Sequence, residues 1–566
     1  MWALEKICNA KKLYNVRKML IYYFILHALV AWSCNLVQHK EQEQHQQPSI
    51  QPDTTITKQT SFNNLFVDTN QVVSFLSNHP AYQKFQQQYA DFYRQRNYEF
   101  AWFDSSGISE QAYNFINLLG NAVNTYNDSS LYNKELVNEV DAFKKDTTDT
   151  LIHKMPDITE TELALTGQFF MYASKVYNGA DIDVEQLGWF IPRKKVDLSL
   201  LLDSLIANKS GVQSTEFPIS DEYKKLLDFL PVYNNIAQSE RWDTIAFPAK
   251  ALHKGSKSSI IPVVKKRLYG LGDLTEQDST AVFDTALLNA AKNFQARMGL
   301  KADGVIGKAF LKELNVSPQQ RIQQILINLE RLRWMPKMND SAMIIVNIPE
   351  YKMYVYEGGQ LQFDMDVVVG ASATGTVIFT GNLKYIVFSP YWNVPASILK
   401  KEIVPAMSRN PNYLAEHHME KYGTGAEGLP LIRQLPGPDN ALGRVKFLFP
   451  NNFDIYFHDT NDPGAFNSSK RNISHGCIRL SEPKELAMYL LRNQPEYTEE
   501  RIDSLMDLDK EKWVTLKNTV PVMISYYTAF VDDSGRLNFR NDIYKHDSAM
   551  AAKLFASPLT DTLVNQ

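Results

Sequence analysis

Cys477 is one of three cysteines in 566 residues, and it lies in the stretch YFHDTNDPGAFNSSKRNISHGCIRL, residues 456–480. His458, His475, Ser474 and Gly476 share that stretch. A thiol attacks a carbonyl as its thiolate, so it needs a base within reach and donors to hold the oxyanion. This one segment contains candidates for every part, and the expected chemistry is acyl transfer through a thioester. The competing reading is a small buried hydrophobe, the usual fate of a lone cysteine. The rest of the chain has to decide between them.

The elements around the segment read as strands. By period two, Tyr456 and His458 share one face of a strand over 454–458, while Ile455 and Phe457 share the other. Alternation over 342–348, 353–356, 361–369 and 383–389, with a hairpin signal at 357–360, predicts a β-rich domain. Between 396 and 437 the periodicity fades, apart from a possible short helix over 402–407, and Gly and Pro accumulate. So long a loop inside a compact domain reads as a lid. His417 and His418 within it read as solvated, and the chain has no HExxH or comparable spacing, so no metal and no organic cofactor is expected. Ser481 is a candidate cap for a helix running to Arg492. Residues 520–545 read as a strand, a turn at 532–535 and a return, and 546–566 as a dispensable tail.

Upstream the patterning is helical. Residues 61–250 predict a helical scaffold, with apolar residues at 3.6-residue spacing over 70–77, 111–123 and from 161 onward. Residues 259–316 predict a compact three-helix module with a glycine-punctuated turn at 301–307, and 317–338 an amphipathic helix. The expected fold class is therefore α+β and multidomain. A formal net charge of −4 gives no electrostatic case for nucleic acid. The N-terminus carries Lys11, Lys12, Arg17 and Lys18 before an apolar run over 19–32, too short for an ordinary span and suited to a signal peptide or anchor over 1–35. Met19 is an alternative start to Met1. Val30–Cys34 resembles a lipoprotein cleavage box with Cys34 as the lipidation candidate, and the Gln-rich 36–60 reads as a flexible tether. The expectation is an exported, periplasmic protein tethered to the membrane at its N-terminus.

His458 followed by Ser474-His475-Gly476-Cys477-Ile478-Arg479 resembles the catalytic signature of the L,D-transpeptidase family. ERLRW at 330–334, VNIP at 346–349, PYWNVP at 390–395, PGPDNALGRVKF at 436–447 and HDT at 458–460 extend the likeness to the large multidomain type. FQARMGLKADGVIGKAFLKEL at 294–314 resembles the type 1 peptidoglycan-binding domain. The resemblance implies a catalytic domain over 317–545 with its lid at 396–437. It implies Cys477 as nucleophile, His458 as base oriented by the carbonyl of Asp459, and the N–H groups of Gly476 and Cys477 as oxyanion donors. It gives His475 a loop-positioning or oxyanion role and Arg479 a role with the loop or a substrate carboxylate. Tyr391, Trp392, Asn393, Tyr456 and Ser474 are candidates to line the substrate groove. The implied reaction cleaves the L,D-bond of a peptidoglycan tetrapeptide stem and passes the acyl group to another stem's amine, forming 3-3 cross-links for cell-wall biogenesis and cell shape, with carbapenems as acylating inhibitors. L,D-carboxypeptidase activity, attachment of a protein to peptidoglycan, and a non-catalytic wall-binding role are the alternatives.

Overall fold

The computed structural model describes residues 65–104, 107–126, 128–145, 155–193, 195–207, 220–239, 241–335, 341–425 and 428–555. The expectations for the N-terminal segment, including Cys34, and for the tether lie outside these residues. Among the described residues no helix is long and apolar enough to cross a membrane. The chain divides into two compact units, 1–109 with 141–167, and 110–140 with 168–566. The stretch 61–250 is thus divided between the two units.

In the first unit, helix Thr69–Asn78 starts at a capping box in which Asp68 and Gln71 satisfy each other's neighbouring N–H groups. The unit also holds helix Gln86–Gln95 and a two-stranded ribbon of β1 (Phe103–Asp104) and β2 (Gly107–Ile108). Glu162 is buried at its centre. Its carboxylate accepts from the backbone of Ala101 (2.8 Å) and Trp102 (2.9 Å) and from the Tyr93 hydroxyl (2.9 Å). Burial pushes its pKa up to about 7, and the three donors pull the other way and limit the cost of the buried carboxyl.

In the second unit, the three-helix module forms as expected: Ile261–Gly270, Thr285–Arg297 and Lys308–Leu314. Its core of Leu268, Leu287, Ala291, Phe294 and Phe310 is continuous with Tyr223, Leu226, Leu230, Ile325 and Phe539. The module therefore shares one core with flanking helices. Helix Pro318–Arg333 begins at Ser317 with a capping box to Gln320.

The β-rich region is built on β3 (Met343–Asn347), β4 (Lys352–Glu357), β5 (Gln360–Gly370), β6 (Thr380–Phe388), β7 (Trp392–Asn393), β8 (Met419–Thr424), β9 (Pro430–Gln434), β10 (Val445–Leu448), β11 (Phe457–His458), β12 (Asn472–Ser474), β13 (Ile478–Leu480) and β14 (Lys512–Ser525). Nine of these form one sheet in the order β12-β5-β13-β11-β10-β6-β14-β3-β4, and β4 also pairs with β5, so the sheet closes on itself. One face buries Val445, Phe447, Phe457, Ile386 and Ile478. Leu187, Trp189 and Ile191, which the sequence boundaries assigned to the scaffold, are buried in this same core.

Three expectations need correction. The stretch 396–437 is a small folded subdomain, not a loop. Its helical run 396–409 packs on a sheet of β7, β9 and β8 around Leu399, Ile403 and Ile432. Its strands and helices are too short to show a period in sequence. Ser481 does not cap the next helix; its hydroxyl accepts from Asp366 N–H at 3.1 Å. The segment from 546 is no dispensable tail: helix His546–Leu554 buries Met550, and its Asp547 pairs at 2.6 Å with the buried Arg331. A hairpin of β15 (Ala529–Val531) and β16 (Leu537–Phe539) turns at 532–535 as expected.

Candidate active site

Strand register assembles the site. β11 runs parallel to β13, with His458 opposite Arg479 and Phe457 opposite Ile478. On the other side His458 lies opposite Lys446 of β10. Because Phe457 and Ile478 fill the core, His458, Arg479 and Lys446 share the opposite face. Tyr456 is one step before this ladder, its carbonyl accepting Ile478 N–H at 3.1 Å, and Cys477 is the matching step on the other strand.

His458 is 5 % exposed. Its Nδ1 lies 2.5 Å from the Asp459 carbonyl. A carbonyl can only accept, so Nδ1 carries the proton and Nε2 is left as the basic nitrogen. Burial first and then the Arg479 charge push the His458 pKa down to about 3; the Asp459 carbonyl pulls it upward, and the Lys446 charge adds a lesser push down. The ring is therefore neutral at pH 7. Asp459 is itself fixed: its carboxylate accepts Arg444 N–H at 2.8 Å and Thr460 N–H at 2.7 Å. Gly443, at φ +63°, makes room for that carboxylate, which an added Cβ would overlap.

The Cys477 Sγ lies 3.6 Å from the carbonyl of Asp454, a non-glycine residue held at φ +54°. Burial raises the thiol pKa, the backbone and hydroxyl of Tyr456 lower it, and the Asp454 charge raises it further. The resting pair is thus a neutral thiol and a neutral imidazole. A proton moving from this thiol to this imidazole would do so during an attack, not before it. Tyr456 touches both partners, hydrogen-bonded to the thiol and with its ring centroid 5.7 Å from that of His458. Burial, then the Cys477 charge, push its own pKa well up, so it stays a donor.

The turn before the thiol departs from expectation in two places. β12 pairs with β5 through Asn472 and Ser474, so alternate residues point out. His475 is accordingly exposed, and its Nε2 faces Glu402 of the 396–437 subdomain at 3.7 Å; it does not hold the turn. Ser474 does. It is 3 % exposed, so it does not line a groove; its hydroxyl donates to the Cys477 carbonyl at 2.6 Å and accepts Gly476 N–H at 3.1 Å. The Gly476 N–H is therefore engaged and is no oxyanion donor in this arrangement. The Cys477 N–H has no acceptor among the described residues. Gly476 adopts φ +122°, which disfavours any side chain there.

Tyr391, Trp392 and Asn393 stand at the base of the 396–437 subdomain, Trp392 and Asn393 pairing with β9 and Tyr391 stacked 4.0 Å under the Arg433 guanidinium. Arg479 is half-buried, with a buried Nε that has no partner among the described residues. Sequence reasoning assigned no role to Thr376, Asn440, Gly443, Lys446 or Asp454. Asn440, Gly443 and Lys446 lie inside the quoted PGPDNALGRVKF string, which marked the place but not the roles. Asn440, 1 % exposed, donates to the carbonyls of Pro390 (3.0 Å) and Leu435 (2.9 Å) and so ties both ends of the subdomain to the site.

Comparison with known proteins agrees with this geometry. Residues 341–502 match the family described as L,D-transpeptidase catalytic domain, 74–230 the scaffold domain, and 258–314 the "Putative peptidoglycan binding domain". A curated "Putative L,D-transpeptidase" of Haemophilus influenzae is 31% identical over 251 residues, 42% of this chain and 49% of that protein. The chain thus spans about half the length of that relative. Among solved structures, an L,D-transpeptidase from Stackebrandtia nassauensis is 14% identical, covering 50% of this chain and 97% of that one with a TM-score of 0.21. L,D-transpeptidase 1 of Mycobacterium tuberculosis is 15% identical over 33% and 62%, with a TM-score of 0.16. It is the sequence matches that carry the assignment: residues 341–502 match the L,D-transpeptidase catalytic domain family, in a chain that also matches a scaffold domain and a putative peptidoglycan-binding domain.

Proposed function

We propose that this chain is a cysteine-dependent L,D-transpeptidase acting on peptidoglycan stem peptides. The observation that carries the reading is the placement of a neutral, Nδ1-anchored His458 and of Cys477, whose N–H has no acceptor among the described residues, at the paired strands β11 and β13, both against Tyr456. As the Cys477 sulfur attacks the carbonyl carbon of the L,D-bond, its proton passes to Nε2 of His458. The oxygen of that carbonyl becomes an oxyanion that receives the Cys477 N–H. Collapse breaks the amide C–N bond, and His458 returns the proton to the departing D-amino acid. The amine of a second stem then loses a proton to His458 and displaces the thiolate, which regains its proton. One amide is broken and one is made, so no external energy source is needed.

Arg479 and Lys446 beside His458 give the site a positive face, suited to a substrate carrying carboxylates. The peptidoglycan-binding domain supports a wall substrate. We also propose that β-lactams of the carbapenem class acylate Cys477, and that the N-terminal segment tethers an exported enzyme to the membrane, with Cys34 as its lipidation site. The test is incubation with disaccharide-tetrapeptides. The expected product is a dimer joined between two third-position residues, absent with Cys477→Ala. Tripeptide alone would make the enzyme an L,D-carboxypeptidase, and no Cys477-dependent product would reject the reading.

A further inference from the structure

The Gly476–Cys477 peptide is a planar unit whose carbonyl and N–H point in opposite directions in the trans form. Whatever holds the Gly476 carbonyl therefore aims the Cys477 N–H. The holder is Thr376, 2 % exposed, whose hydroxyl lies 2.8 Å from the Gly476 oxygen. The direction of that bond is fixed. Thr376 Oγ1 also accepts the Gly370 N–H at 2.9 Å, so its own hydrogen is left for Gly476.

Thr376 is held in turn by the C-terminal segment. The Tyr544 hydroxyl donates to the Gly370 carbonyl and accepts the Thr376 N–H at 3.3 Å, closing the 370–376 turn. Tyr544 stacks on Tyr526 at 5.8 Å, and its N–H donates to the Tyr526 hydroxyl at 2.8 Å. Helix His546–Leu554 follows directly and is anchored by the buried Met550. Ser474 meanwhile occupies the Gly476 N–H and the Cys477 carbonyl. Every other polar backbone group from Gly476 N to Cys477 O is thus engaged, and the Cys477 N–H alone of these has no partner among the described residues.

We propose that Thr376, braced by Tyr544, is a positioning residue that aims the Cys477 N–H at the oxygen of the carbonyl under attack. This rests on the acyl-transfer reading above. Thr376 touches no reacting atom; it acts through one peptide plane. Its effect must appear in acyl transfer, where an oxyanion forms, and not in alkylation, where the sulfur displaces a halide from a saturated carbon and no oxyanion exists.

The test uses the full chain and two reagents at one pH. Intact-mass time courses give the rate of Cys477 acylation by a carbapenem and the rate of its alkylation by iodoacetamide. Losing an oxyanion donor outright slows acyl transfer about 10²–10³-fold, so a donor left free to turn should slow it roughly 10–100-fold. Thr376→Val is expected to show that loss with alkylation essentially unchanged. Thr376→Ser, which keeps the hydroxyl, restores acylation, and Tyr544→Phe falls between. Thr376→Val acylating as fast as the parent overturns the proposal. So does a parallel fall in both rates, which would mean general disorder of the site. A parent chain that alkylates at Cys477 but is acylated neither by a carbapenem nor by a tetrapeptide stem rejects the acyl-transfer reading itself, and this proposal with it.

Discussion

Gly443→Ala should separate the orientation of His458 from the integrity of the fold. The new Cβ overlaps the Asp459 carboxylate, and the residue sits at φ +63°. The backbone penalty for a side chain in the left-handed region is about 1–2 kcal/mol. Relief requires moving Asp459, whose carboxylate bonds to Arg444 and Thr460 N–H are of the charged kind, worth about 1.5–3 kcal/mol each. A net loss of about 2.5–5 kcal/mol in stability follows if one of the two is broken. The catalytic effect is separate. The Asp459 carbonyl moves with its residue, the 2.5 Å bond to Nδ1 lengthens, and the base loses its orientation. A misplacement on the order of 1 Å costs about 100-fold in rate. Gly358→Ala is the control: at φ +58° with nothing near its Cβ position, it carries the backbone penalty alone. Urea unfolding and carbapenem acylation rates, measured on both variants, give the comparison. The reasoning is refuted if Gly443→Ala acylates at the parent rate, or if both variants lose the same stability and the same rate.

Two further outcomes are expected. Because burial and neighbouring cations depress the folded-state pKa of His458 to about 3 while an unfolded histidine titrates near 6.5, the unfolded chain binds the extra proton between those values. The contribution of this group to stability is therefore intact above pH 6.5 and is lost as pH falls toward 3, by up to roughly 5 kcal/mol, and His458→Gln should flatten the acid side of a denaturation-versus-pH curve; equal acid slopes in the two proteins would contradict the shift. In the first unit, Glu162→Gln turns an amide NH₂ toward one of the N–H or O–H donors now facing the carboxylate and should cost about 1–3 kcal/mol, read by chemical denaturation of the full chain, with a change below about 0.5 kcal/mol counting against the network.

Local signals in the chain were enough for most of the strands and for the three-helix module. Alternation placed His458 on the face opposite Phe457, and Phe457 is indeed in the core. What stayed hidden depends on contacts far apart in sequence. Tyr544 lies 168 residues from Thr376, and Thr376 lies 100 from Gly476. A tyrosine in a C-terminal segment and a threonine in a turn have no period or spacing to mark them. The 396–437 subdomain was read as a loop because its core is only Leu399, Ile403 and Ile432 with partly buried neighbours, too few residues to impose a pattern. His475 took its expected role from the likeness to the family motif; the β12–β5 register, which no local pattern announces, turns it outward.

In the proposed reaction Cys477 is the nucleophile and its proton leaves during attack, not before. The intact mass of the full chain after exposure to a carbapenem across pH 5–9, with iodoacetamide alkylation run alongside, tests both points at once. A single adduct should map to Cys477, be absent in Cys477→Ala and form at a nearly constant rate from pH 6 to 8. Alkylation should instead climb steadily with pH, because burial holds the thiol above its ordinary range. An adduct that persists in Cys477→Ala would contradict the assignment of the nucleophile. Fast, pH-independent alkylation from pH 5 would contradict the neutral pair and replace it with a preformed thiolate–imidazolium pair.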